Sequence, residues 1–141
     1  MIIIGEKLNG AIKSVARAIQ ARDGDFIRDL ATRQLENRAD YLDICSGVPN
    51  EDFEVLKWII ELVQADHPDV RFSLDSPNPD TIARCIPLCK NPGIINSVSL
   101  EPGKIENREA AAAELAPILG VDKKIILKKI STHKNFCWLA R

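Results

Sequence analysis

Cysteine is scarce in this chain. Its four thiols, Cys45, Cys85, Cys89 and Cys137, are spread too thinly over 141 residues to form a disulfide framework, so a reducing cytoplasm is the expected setting. Long apolar runs are missing as well, and no stretch approaches the ~20 residues that a membrane helix needs. The opening Met-Ile-Ile-Ile-Gly-Glu-Lys has no basic leader, long apolar segment or small-residue cleavage site, which argues against export. Neither sign of charge dominates, with 19 basic against 20 acidic side chains and a net charge of -1. That balance disfavours nucleic acid and anionic membranes as partners, since both demand an excess of Lys and Arg. Gly5 and Gly10 do not make G-x-G-x-x-G, and no G-x-x-x-x-G-K-[ST] loop occurs, so the usual phosphate fingerprints are absent.

What is present is the composition of an ordinary globular domain, 45% hydrophobic and 28% charged. A chain of this size buries roughly 70% of its unfolded surface, enough for a core without staples. Short runs rich in β-branched residues predict strands at Ile2 to Gly5, Tyr41 to Ile44, Arg71 to Leu74 and Ile94 to Val98, with a weaker fifth at Lys124 to Leu127. Each interval is long enough for one crossover helix, which makes the strands parallel and the class α/β. Phe26, Ile27, Leu30, Ala31 and Leu35 recur at helical spacing, as do Phe53, Leu56, Ile60 and Val63. Asn78 before Pro79 reads as an N-cap with Pro at the first helical position, and Pro87 ends or kinks that helix. Glu106 to Leu119, rich in Ala, predicts a further helix.

In parallel sheets, ligands collect beyond the carboxyl ends of the strands. Each predicted strand here runs into polar residues: Glu6 and Asn9 after the first, Asp43, Cys45 and Ser46 at the second, Asp75, Ser76 and Asn78 at the third, Asn96 and Ser97 at the fourth. Each has a local explanation when taken singly. Asp75 before Ser-Pro-Asn-Pro suits a turn, Asn96 can bond to neighbouring backbone, and Glu6 with Lys7 can form a solvated pair. Four strand ends with the same bias favour one shared polar cavity instead. Cys85 and Cys89 share a helical stripe with Ile82 and Ile86, where Cys serves as a small hydrophobe, and no metal site is expected from them. Cys45 stands at a strand end, where a thiol could reach the cavity, although an inert buried thiol is the simpler expectation.

The segments Ile-Ile-Gly-Glu-Lys-Leu-Asn-Gly (3–10), Ala-Asp-Tyr-Leu-Asp-Ile-Cys-Ser-Gly (39–47), Ser-Leu-Asp-Ser-Pro-Asn-Pro (73–79) and Gly-Ile-Ile-Asn-Ser-Val-Ser-Leu-Glu (93–101) resemble successive strand motifs of the pterin-binding methyltransferases. These act on methyltetrahydrofolate and a corrinoid protein, and are cousins of dihydropteroate synthase. The Cys-Ser in the second motif looks nearest to the corrinoid methyltransferases of methylamine or glycine-betaine metabolism. The resemblance implies a (β/α)8 barrel, for which ~250 residues is typical, so this chain would supply its first four or five units. Residues 1–121 would form that N-terminal half and residues 122–141 a divergent tail, consistent with a truncated or frame-shifted product.

The resemblance further implies that the Asp75 carboxylate accepts from a pterin ring N–H and its exocyclic amine, that the Asn96 amide pairs with the ring, and that Asp43, Glu6 and Asn9 shape or hydrate the mouth. The methyl group on N5 would pass to a cobalt(I) corrinoid carried by a partner protein, with positioning and hydrogen bonding to N5 as the source of catalysis. Further pterin-holding groups belong to the second half of such a barrel. A half barrel is then expected to be inactive or nearly so, and to self-associate or pair with a complementary half. Two other readings stay open: a non-catalytic α/β module of flavodoxin-like form, and a dihydropteroate synthase, which the Gly-Glu-Lys-Leu-Asn opening disfavours.

Overall fold

The computed structural model describes residues 2–48, 51–99 and 135–139. Its elements run β1 (Ile4–Asn9), α1 (Lys13–Ala21), α2 (Gly24–Glu36), β2 (Tyr41–Cys45), α3 (Asp52–Asp66), β3 (Phe72–Asp75), α4 (Pro79–Cys85), a 3₁₀ turn (Ile86–Leu88), β4 (Ile94–Ser99) and β5 (Asn135–Leu139). The strands form one sheet in the order β1-β2-β3-β4-β5. The first four are parallel, joined by three helical crossovers, while β5 lies antiparallel against β4.

The sequence expectation of parallel βα units holds for the first four strands, with three corrections. The interval between β1 and β2 carries two helices, not one. Val15, Ala18 and Ile19 give α1 its own buried stripe. Arg22 then takes a left-handed φ of 52°, and the Asp23 side chain accepts from the Phe26 N–H to start α2. Second, β1 begins and ends later than its apolar letters suggest. Gly5 pairs with Leu42 but Leu8 pairs with Ile44, so Glu6 and Lys7 stand against Asp43 alone in a bulge. The bulge turns Leu8 into the core and carries the strand on to Asn9. Third, the expected tail holds a strand at Asn135–Leu139, which runs antiparallel to β4. The strand expected at Lys124 to Leu127 and the helix expected at Glu106 to Leu119 lie outside the described residues.

The four α-helices of the described residues pack on one face of the sheet. Leu42, Ile44, Phe72, Leu74 and Ile95 point toward them and meet Ile27 and Ala31 of α2, Val55, Leu56, Ile59, Ile60 and Val63 of α3, and Ile82 and Cys85 of α4. The α3 stripe is wider than its spacing suggested, and Phe53 sits at its margin under the Arg84 guanidinium, 3.5 Å from the ring centroid. Asn78 caps α4 as expected, accepting from the Asp80 N–H at 3.0 Å. The helix gives way to the 3₁₀ turn at Pro87, which has no N–H to continue the ladder. Cys85 is fully buried and behaves as part of the core. Among the described residues, no helix is long and apolar enough to cross a membrane.

Candidate functional site

Side chains alternate across a strand, so the face turned away from the helices carries the other half of each strand. Its composition is different. Asp43 is in register with Ser73, Cys45 with Asp75, Asp75 with Asn96, and Asn9 with Cys45. In parallel strands register partners share a face, so these residues form a polar stripe across all four parallel strands at their carboxyl ends.

Asp43 is buried, only 5% exposed. Its Oδ1 accepts from Ser73 Oγ at 2.5 Å and from Asn96 Nδ2 at 3.0 Å. A buried carboxylate needs such donors, and in taking them it turns the Asn96 NH₂ toward itself and fixes the plane of that amide. The carbonyl of Asn96 accepts from the Ser76 N–H at 3.1 Å, which ties β4 to the turn after β3.

Asp75 stands one step nearer the strand ends and is half-buried. Burial pushes its carboxyl above the ordinary range, and the negative charges of Asp43, Asp52 and Glu6 push the same way. A hydrogen bond from the Cys45 thiol acts in the opposite direction. Cys45 itself is pushed up to about 11, mainly by burial and further by Asp75, although a backbone hydrogen bond at Gly47 lowers it. It is therefore a thiol that donates to Asp75, not a thiolate nucleophile. A carboxylate in this setting gains from additional N–H donors, and the surrounding acids disfavour an anionic ligand.

The remaining expected residues lie around this pair. Glu6 is exposed in the β1 bulge, close enough for its charge to act on Asp75. Asn9 faces the same side, with its Oδ1 taken by the Ala11 N–H at 2.8 Å in the turn after β1. That turn touches the next one backbone to backbone. A Cβ on Gly10 would fall 1.9 Å from the Ser46 carbonyl oxygen, and Gly47, at φ +65°, closes the other side of the contact. Asp43, Asp75 and Asn96 are thus brought together directly, and Glu6 and Asn9 flank them. Sequence reasoning did not single out Ser73 or Asp52. Ser73 could have been found by two-residue spacing from Asp75, whereas nothing in the letters links Asp52 to the strand ends. Among the described residues, no group of three or more His, Cys, Asp or Glu is placed to hold a metal ion.

The fold and the stripe define a class: a parallel βα sheet with an apolar, helix-covered face and a polar, acid-rich face at its strand ends. No family model matches the chain. Over 107 residues, 75% of its length, it is 48% identical to a methylcorrinoid:tetrahydrofolate methyltransferase of Eubacterium limosum, and it spans 39% of that protein's length. The chain is thus similar, over most of its own length, to a piece of a methylcorrinoid:tetrahydrofolate methyltransferase.

Proposed function

We propose that this chain carries the pterin-holding part of a methyl-transfer site. In it the pterin of tetrahydrofolate lies against Asp75 and Asn96, and the methyl group passes between the pterin N5 and a corrinoid carried by a partner protein. The observation that carries this reading is the register of Asp75 with Asn96 on adjacent strands, on the face away from the helices. A carboxylate and an amide side by side match the edge of a pterin, which offers a ring N–H and an exocyclic amine together with ring acceptors. Binding such donors also relieves the cost that burial and neighbouring acids impose on ionised Asp75. The relative's name supplies both reactants, a methylcorrinoid and tetrahydrofolate. On this reading the four parallel strands are the opening units of a (β/α)8 barrel, with Glu6 and Asn9 at its mouth and Asp43 beneath the pterin. The chain's own contribution is to bind and orient the pterin, while the corrinoid supplies or accepts the methyl group.

Calorimetric titration with tetrahydrofolate and with methyltetrahydrofolate tests this. Asp75→Ala should weaken pterin binding at least 10-fold, or about 1.4 kcal/mol. An Asp75→Ala protein that binds as tightly as the parent would remove the site from this reading.

A further inference from the structure

Asp52 is an unusual residue for the first turn of a helix, because its carboxylate is buried, at 7% exposure. Helix dipoles favour an acid at this end, but an exposed one would serve as well without the cost of desolvation. The partners of Asp52 explain why it is inside. Its Oδ1 accepts from Ser46 Oγ and its Oδ2 from Ser76 Oγ. Ser46 directly follows Cys45, the last residue of β2, and Ser76 directly follows Asp75, the last residue of β3. Each serine also braces its own turn, since Ser46 Oγ accepts from the Val48 N–H at 3.2 Å and Ser76 Oγ from the Asn78 N–H at 3.0 Å. The Ser76 N–H continues the chain of contacts to the Asn96 carbonyl on β4. One carboxylate therefore ties the ends of two neighbouring strands to a single helix, at the residues adjoining the Cys45–Asp75 pair.

We infer that Asp52 is a positioning residue: through Ser46 and Ser76 it holds the carboxyl ends of β2 and β3 in the geometry that sets Asp75 beside Cys45 and Asn96. Asp52 makes its hydrogen bonds to the two serines and not to a residue proposed to meet ligand; its charge also reaches Asp75 and Cys45, and Asp52→Asn, which removes that charge while keeping the contacts, separates the two effects. The consequence for binding rests on the proposed pterin site, but the positioning itself can be read without ligand.

The test uses the full chain with Asp52→Ala, Asp52→Asn and Ser46→Ala/Ser76→Ala. Asparagine can keep both contacts, accepting from one serine and donating to the other, so it is the conservative rescue. Site-resolved alkylation by mass spectrometry follows Cys45, with the core thiol Cys85 as an internal control for global opening. Expected is at least a 10-fold faster modification of Cys45 in Asp52→Ala and in the double serine variant. Cys85 should remain protected, and Asp52→Asn should stay within about 3-fold of the parent. Tetrahydrofolate affinity should fall about 10-fold in the same two variants and recover in Asp52→Asn. Cys45 reacting at the parental rate in a folded Asp52→Ala protein overturns the inference, as does acceleration of Cys45 and Cys85 together in both Asp52 variants. Absence of tetrahydrofolate binding by the parent would reject the proposed function alone, because the alkylation result decides the role of Asp52 by itself.

Discussion

Replacing Asp43 by Ala would withdraw the acceptor that Ser73 and Asn96 share. Ser73 is 1% exposed, so water cannot readily take over its hydroxyl, and Asn96 is half-buried. A hydrogen bond to a charged group contributes about 1.5–3 kcal/mol, which makes the gross loss for the two roughly 3–6 kcal/mol. Removing a buried carboxylate also removes its desolvation cost and its repulsion of Asp75, which offsets part of that loss. The net expectation is a destabilisation of about 2–4 kcal/mol. With a urea slope of about 2 kcal/mol/M, the midpoint of unfolding should fall by roughly 1–2 M at neutral pH. Asp43→Asn keeps an acceptor oxygen at the same place and should lose less than about 1 kcal/mol. Because the amide of Asn96 is released in the Ala variant, tetrahydrofolate affinity should drop as well. An Asp43→Ala protein that unfolds at the parental midpoint would refute the claim that this carboxylate holds the centre of the stripe.

Two further outcomes follow from the same geometry. Since the folded-state pKa of Asp75 is raised, its favourable contribution to stability is present below the unfolded value of about 3.9 and is lost as the pH rises through the folded value. Asp75→Asn should therefore melt higher than the parent at pH 7 and converge with it below about pH 4; a gap that widens toward acid would contradict the sign. Gly10→Ala drives a Cβ into the Ser46 carbonyl, where only backbone could move, and should cost about 2–4 kcal/mol in chemical denaturation, while an unchanged midpoint would show that the two turns do not meet.

Much of the fold was legible because periodicity reports burial directly. The stripes of α2 and α3 and the punctuation by Asn78, Pro79 and Pro87 are local signals, and the helices follow them. The extent of β1 was not, because Glu6 and Lys7 interrupt its alternation; a bulge is defined by the partner strand, which the letters do not show. The helix α1 escaped because Val15, Ala18 and Ile19 make a stripe of only three residues amid polar neighbours. At the site, the motif residues Asp75 and Asn96 fell on adjacent strands in register, as their places at strand ends suggested. Their supports, Ser73 and Asp52, come from elsewhere in the chain and become visible only once tertiary contacts are known.

Parity separates two kinds of consequence for mutation along these strands. In β2 and β3 the even-numbered positions 42, 44, 72 and 74 face the helices, and the odd-numbered 43, 45, 73 and 75 lie on the polar face. In β4 the assignment inverts, with 95 toward the helices and 96 on the polar face. A saturation library scored for tolerance of charged side chains should therefore alternate residue by residue along these strands, with the phase reversed at the β1 bulge and again between the third strand and the fourth.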